Sequence, residues 1–404
     1  MGHHAATLEP LPPTPPIREV RLKTASPPPN AAAKHYVWLD ALRGFAALSV
    51  LFFHLVAIGK VPLPAIGPLI WFHAGFWGVD LFFAISGAVM VISIAQLQAR
   101  YGEAWRRPFW RRRVARVMPL YLLTCIAFVL FVAPEQLTAP DRLFQLITHL
   151  LMVHNWFPAA HGAINGPSWS LGVEMQFYAL LLLIGGPLLR VRLALLLASC
   201  LLISLLWRFG LWWLHVRPEG ADPGLLVFYV STQLPGVLIT FGGGMLAGRF
   251  ALTTRSAWSW RRALLMLLPV VLAWTVVLQW ILVLVTDPGQ GLNQPRGLIA
   301  LYGGVALAAG LSVHWALRAP NPGAALSRHS KRLGDLSYGI YLWHMGVLLL
   351  AQRWLADTPW QLAAVVVIAT FALSALSWHW LERPVMRWAR GHRSTAPAVG
   401  KGPW

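Results

Sequence analysis

Polar side chains capable of group-transfer chemistry occur in five short segments of an otherwise apolar chain. The first, WLDALRGFAALSVLFFHL, carries Asp40, Arg43 and His54. His54 follows Arg43 by eleven residues, about three helical turns, so the two share one helix face about 16 Å apart. An ionisable group inside a membrane helix costs about 2.5–3.5 kcal/mol on insertion scales and marks a candidate functional site by default. His54 has the chemistry of a general base, because an imidazole of ordinary pKa about 6.5 takes a proton near neutral pH. A blander reading makes Asp40 and Arg43 an i,i+3 anchor and His54 a packed residue at the far end of the helix.

Four further segments add to this stripe. GFWGVDLFFAISG brings Asp80 and Ser86 among glycines that would equally suit close helix packing. RRPFWRRRVARVMPLY crowds Arg106, Arg107, Arg111, Arg112, Arg113 and Arg116 into a basic loop directly before a span. Most of these serve as topology signals, but Arg113 and Arg116 share a helix face, and guanidinium forks match phosphate oxygens. PSWSLGVEMQFYALL places Glu174 near the start of a span, after Trp169 and Ser170 and one turn before Tyr178. A lone Glu there is often only a helix-dipole partner, although its spacing from Ser170 misses a capping box by one residue. LSYGIYLWHMGV sets Ser337, Tyr338, Tyr341 and His344 in one late span.

The elements that position these residues follow from composition. A chain of 404 residues that is 57% hydrophobic and 12% charged cannot hide that surface in one water-soluble core. Its mean hydropathy is +0.58. Apolar runs of about 20 residues predict an all-α bundle of about ten spans. They fall near 41–60, 74–96, 117–133, 170–189, 191–214, 225–247, 263–285, 298–317, 335–352 and 360–381. An eleventh run, 143–153, is too short to cross and is expected at an interface or as a re-entrant segment.

Charge sets the expected orientation. With both termini cytoplasmic, 27 of the 33 Lys and Arg fall in 1–43, 97–116, 190–192, 248–262, 318–332 and 382–404. Lys60, Arg142, Arg208, Arg217, Arg296 and Arg353 remain for the outer loops and outer helix halves. The net charge of +19 therefore follows topology, and the basic side suits anionic lipid headgroups rather than nucleic acid. Cys125 and Cys200 fall inside spans and read as small core residues. His149, His154 and His161 have no zinc-site spacing, are expected to be solvated or interfacial, and no metal is predicted. Residues 1–35 are Pro-rich and read as a disordered cytoplasmic tail, 36–390 as the membrane domain and 391–404 as a short tail.

Taken in order, the five segments and a closing E-x-P at Glu382 and Pro384 resemble the acyltransferase-3 family of integral membrane transacylases, over about 36–390. The family's Arg-x10-His looks like Arg43 and His54. Its G-V-D-x-F-F-x-x-S-G resembles Gly78 to Gly87, and its Arg-x-x-Arg-x-x-Pro resembles Arg113, Arg116 and Pro119. W-S-L-x-x-E corresponds to Trp169 through Glu174, and S-Y-x-x-Y-L-x-H to Ser337 through His344. The resemblance implies a multi-pass protein of the bacterial cytoplasmic membrane. Its activity would be transfer of an acyl group, most often acetyl, from cytosolic acetyl-CoA to a hydroxyl of a glycan, lipid-linked sugar or sugar-bearing metabolite.

On that reading no cofactor is held permanently. Arg43 and His54 are catalytic, His54 as the general base or, as the lesser alternative, a transient acyl carrier, with Glu174 or Asp80 orienting its ring. Arg113 and Arg116, helped by Arg43, hold the CoA phosphates; Ser170, Tyr338 and Tyr341 are weaker candidates for donors to the reacting carbonyl. Where family members often have Pro two residues after the last His, this chain has Gly346, which points His344 toward packing or hydrogen bonding. Only about 22 residues follow Glu382, so the extracytoplasmic esterase-like domain of some members is not expected, and a separate acyl-accepting partner protein is an option. The rival function is a transporter or flippase using Asp80, His54 and Glu174 as a relay, which explains the arginine cluster less well. Trp156, Trp169, Trp212 and Trp213 could stack on sugars, but an interfacial aromatic belt is the favoured reading.

Overall fold

A computed structural model describes residues 35–216, 224–254, 256–286, 295–354 and 358–391. The expected tails therefore lie almost entirely outside the described residues, as do the centres of the two connections near 217–223 and 287–294. Among the described residues there are fourteen α-helices and no strand. They are α1 Val37–Ala57, α2 Ile70–His73, α3 Gly78–Tyr101, α4 Arg106–Ala127, α5 Arg142–Leu150, α6 Trp169–Leu188 and α7 Leu193–Leu211. The second half holds α8 Gly224–Ser231, α9 Leu234–Thr253, α10 Trp260–Thr286, α11 Pro295–Arg318, α12 Ala324–Trp354, α13 Pro359–Ser377 and α14 Arg383–Arg390.

The protein is an all-α, polytopic membrane bundle. Among the described residues seven helical stretches are long and apolar enough to cross a bilayer, and one of them, Gly75–Val132, contains both α3 and α4. α12 is long enough but carries Asp335, Ser337, Tyr338, Tyr341 and His344, which dilute its apolarity. α5 has nine residues, about 14 Å of helix against a hydrocarbon core of about 30 Å, so it does not cross.

Three expectations need correction. The arginine-rich stretch is not a loop: it forms the first turns of α4, where Arg favours helix and Pro108 sits in the opening turn, whose N–H groups have no helical partner. The expected span 225–247 is broken into α8 and α9. At the break Gln233 is extended, its amide donating to the carbonyls of Asn155 (2.6 Å) and Tyr229 (3.0 Å), and Pro235 opens the new helix. The span expected at 335–352 begins a further eleven residues earlier, at Ala324.

Two helix pairs set the geometry of the bundle: α3 against α9 and α1 against α12. Both need a missing side chain. A Cβ on Gly244 would lie 1.8 Å from the Ala84 carbonyl oxygen, and one on Gly334 would lie 2.6 Å from Cβ of Asp40. The second contact brings α12 close enough for its polar face to meet that of α1. α6 and α9 are central, about half of each span being buried, whereas α10 presents Leu264, Leu265, Leu268, Leu272 and Val276 outward as a lipid-facing strip. Cys125 and Cys200 are free and buried, and Cys200 packs against Gly242.

Candidate active site in two polar layers

The first-span stripe builds two layers, one at each end of α1. On the basic side, Arg43 pairs with Asp40 at 3.3 Å and lies within electrostatic reach of Arg116, Tyr178 and Glu174. α4 contributes the other two guanidiniums. Arg116 pairs with the buried Glu382 at 3.0 Å and lies over the rings of Tyr338 and Trp378. Arg113 lies 5.9 Å above the Tyr178 ring and has no carboxylate within 4 Å among the described residues. Its Nε is buried without a partner. Glu174 anchors this layer from α6: Ser86 donates to its Oε1 at 2.6 Å, and Tyr178 donates to the same oxygen. Arg43, Arg113, Arg116 and Glu174 are all half-buried, so the layer is a partly open array of charged groups.

Toward the opposite side the chemistry changes to neutral groups. His54 sits in the last turn of α1, its Nδ1 2.9 Å from the Val50 carbonyl and 3.1 Å from Nε2 of His344 on α12. The two rings are 5.0 Å apart. Tyr341, one turn before His344, donates to the Pro167 carbonyl at 2.7 Å, and Ser170 lies 2.7 Å from the Tyr341 hydroxyl. One turn separates Ser170 from Glu174 on α6, so that helix ties the layers together as α1 does.

Several residues stand elsewhere than their sequence pattern implied. Neither Glu174 nor Asp80 reaches the His54 ring. Glu174 is held by Ser86 and Tyr178, while Asp80 accepts from Thr240 at 3.3 Å and has Arg208 as its charged neighbour. The protons of Tyr341 and Ser170 are taken up around Pro167, and Tyr338 donates to the Val117 carbonyl at 2.7 Å, so these hydroxyls brace α4, α6 and α12. Trp169 stacks on His161 at 5.5 Å instead of facing solvent, whereas Trp156 is 54% exposed. Ser337 is buried and donates to the Gly334 carbonyl of its own helix.

His149 and His154 are the clearest reversal, since both are buried rather than solvated. Their rings stack 4.4 Å apart, His149 Nδ1 donates to the Gln145 carbonyl and His154 Nε2 to the Ser168 carbonyl. Burial pushes the His154 imidazole down to about 3, with His149 a second cause, and lowers His149 as well. The half-buried ring of His161 is pushed down to about 4 by the same desolvation. These groups lie in the connection after α4, which supports Pro167 and Ser170 from outside the spans.

Arg208, by charge count an outer basic residue, is part of a buried contact. It is 3% exposed, donates to the Gly236 carbonyl at 2.6 Å and lies 3.5 Å from the centre of the Tyr302 ring. Its position in the apolar run LLISLLWRFGLWW was the available signal, because an arginine there has to find an internal partner. A separate cavity of about 260 Å³ lies between the end of α4 and α12, lined by Thr124, Phe128, Asn165, Trp343 and Gly346 among others. Its walls are almost wholly apolar and neither polar layer opens into it.

Comparison with known proteins places the chain in a family. The profile of the family described as an acyltransferase domain matches residues 36–379. The putative peptidoglycan O-acetyltransferase YrhL of Bacillus subtilis is 29% identical over 399 residues, covering 89% of this chain and 56% of the relative. The peptidoglycan O-acetyltransferase OatA of Listeria monocytogenes is 26% identical, covering 88% of this chain and 56% of its own length. The O-acetyltransferase OatA of Staphylococcus aureus is 25% identical, covering 86% and 57%. The chain thus spans a little over half the length of these curated relatives. No solved structure matches. The match spans most of the chain and takes in Arg43, His54, Arg113, Arg116, Glu174 and His344, with Glu382 just beyond it, and the chain belongs to the acyltransferase-3 family.

Proposed function

We propose that this protein is a membrane O-acyltransferase that moves an acetyl group from cytosolic acetyl-CoA to a hydroxyl of a glycan, lipid-linked sugar or sugar-bearing metabolite on the other side of the bilayer. The observation that carries the proposal is the pairing of the layers: three guanidiniums at one end of α1 and a paired, neutral histidine at the other. The relatives' names support O-acetyl transfer, and those from Bacillus and Listeria support a peptidoglycan-type saccharide as acceptor.

In the proposed reaction Arg113, the arginine without a close carboxylate, takes the CoA phosphates, with Arg43 and Arg116 adding positive potential. The thioester extends toward His54. The acceptor hydroxyl oxygen attacks the thioester carbonyl carbon and its proton passes to Nε2 of His54. The C–S bond then breaks, and the departing CoA sulfur takes the proton back from the imidazolium. Every atom transferred comes from donor or acceptor, and the enzyme ends unchanged.

The test uses membranes containing the full chain and acetyl-CoA labelled in the acetyl group. Alkali-labile label in the glycan and lipid fractions, dependent on the protein, is the expected result. A protein that only moved a substrate across the membrane would leave no ester, and that outcome overturns the proposal.

A further inference from the structure

The His54–His344 pair fixes more than proximity. Both Nδ1 atoms lie close to backbone carbonyl oxygens one turn back: His54 Nδ1 is 2.9 Å from the Val50 oxygen, and His344 Nδ1 is 3.1 Å from the Ile340 oxygen. A carbonyl oxygen only accepts, so each Nδ1 carries a proton. A neutral His344 protonated at Nδ1 has a bare Nε2, and that lone pair lies 3.1 Å from His54 Nδ1. It accepts from the same N–H that donates to Val50. Nε2 of His54 is therefore the unprotonated nitrogen, ready to take a proton.

We propose that His344 is the positioning residue of the active site: it locks His54 in the Nδ1–H tautomer and presents Nε2 to the acceptor hydroxyl, the part a carboxylate plays in a Ser-His-Asp triad. This assignment rests on the proposed role of His54 as base. It also explains why neither candidate carboxylate is at hand, since Glu174 is held by Ser86 and Tyr178 and Asp80 by Thr240. His344 is only 1% exposed, so its lone pair has no water to turn to. The helix around it is rigid, with Gly339 seated against Ser374 and the Tyr341 hydroxyl held by Pro167.

The chemistry separates positioning from packing. Replacing His344 with Leu keeps the bulk and removes the acceptor. Replacing it with Gln restores an acceptor oxygen near the former Nε2. For a positioning residue, His344→Leu lowers kcat by about 10²-fold, within the range one acid–base group contributes, while the KM for acetyl-CoA changes by no more than about twofold. His344→Gln recovers at least about a tenth of the wild-type kcat. Both variants are compared at equal amounts of monodisperse detergent-solubilised protein.

Solid-state ¹⁵N spectra of histidine-labelled protein in lipid give the second readout. The difference between wild type and His54→Ala isolates the His54 signals, which should show a protonated Nδ1 and a bare Nε2; His344→Leu should turn this into a tautomer mixture. Equal kcat in wild type and His344→Leu, a Gln variant no better than Leu, or a His54 protonated at Nε2 in wild type each overturns the inference. If His54→Ala itself transfers acetyl at the wild-type rate, the failure lies instead with the base assignment.

Discussion

The two polar layers differ in how their groups are satisfied. At the basic end every carboxylate is occupied: Asp40 by Arg43, Glu382 by Arg116, and Glu174 by two hydroxyls. Among the described residues Arg113 alone of the three guanidiniums has no carboxylate within 4 Å; it faces the Tyr178 ring, with Glu174 within electrostatic reach. At the other end the groups that meet around His54 are held by hydrogen bonds between imidazoles, hydroxyls and backbone carbonyls, with no ion pair among them. A charged array holds an anion without further rearrangement, whereas a neutral pair holds a proton acceptor that has not yet been used. On the proposed reading one end binds the donor and the other carries the reaction.

The sharpest way to break this division is to remove its reactive member. His54→Ala should lower kcat for acetyl transfer by about 10²–10⁴-fold, the range for losing a general base, with acetyl-CoA affinity nearly unchanged. Charge reversal at the other end should do the opposite. Arg113→Glu should raise the KM for acetyl-CoA by about tenfold or more, because a charge-assisted contact of about 1.5–3 kcal/mol becomes a repulsion, and kcat at saturation should fall less. Both are measured by steady-state kinetics in proteoliposomes.

Smaller effects sharpen the structural side. Glu382→Gln leaves Arg116 without its counter-charge in a site where Glu382 is 2% exposed, and should lower stability by about 3 kcal/mol, read as the thermal midpoint in detergent. Acidification should loosen the connection carrying His149 and His154. A histidine held at about 3 in the fold and about 6.5 when unfolded contributes stability above pH about 6.5, and this is lost as pH falls toward about 3, at about 1.4 kcal/mol per unit. The protection factors of residues 142–168, exchange rates taken relative to the intrinsic rate at each pH, should therefore fall between pH 7 and pH 5. Asp335→Asn, which breaks the exposed pair with Lys331, should cost less than about 1 kcal/mol.

Much of this was legible in the sequence. Hydropathy and chain length are enough to fix the class, because every backbone polar group in hydrocarbon needs an internal partner and helices provide it. The Arg43 to His54 stripe was also legible, being a property of one helix. What the sequence could not give is which side chains meet across helices. That His54 meets His344 depends on a contact made at Gly334, ten residues before His344. Whether Asp80 faces Arg208 or His54 depends on the rotation of α3, and hydropathy around that helix is nearly uniform. The break at Gln233 has one local signal, Pro235, and one distant partner, the Asn155 carbonyl, which hydropathy does not show. Burial of His149 and His154, against a solvated position, is equally a matter of distant partners, since Tyr121 and Ser168 come from other elements.

The division between a binding end and a reacting end is tested most directly by measuring two quantities on the same preparations: acetyl-CoA affinity and formation of alkali-labile acetyl ester, in wild type, His54→Ala and Arg113→Glu. The expected result is a crossed pattern, in which His54→Ala binds acetyl-CoA as wild type does and forms almost no ester, while Arg113→Glu loses affinity first. Ester formation by His54→Ala at the wild-type rate, or equal loss of affinity in both variants, would contradict it.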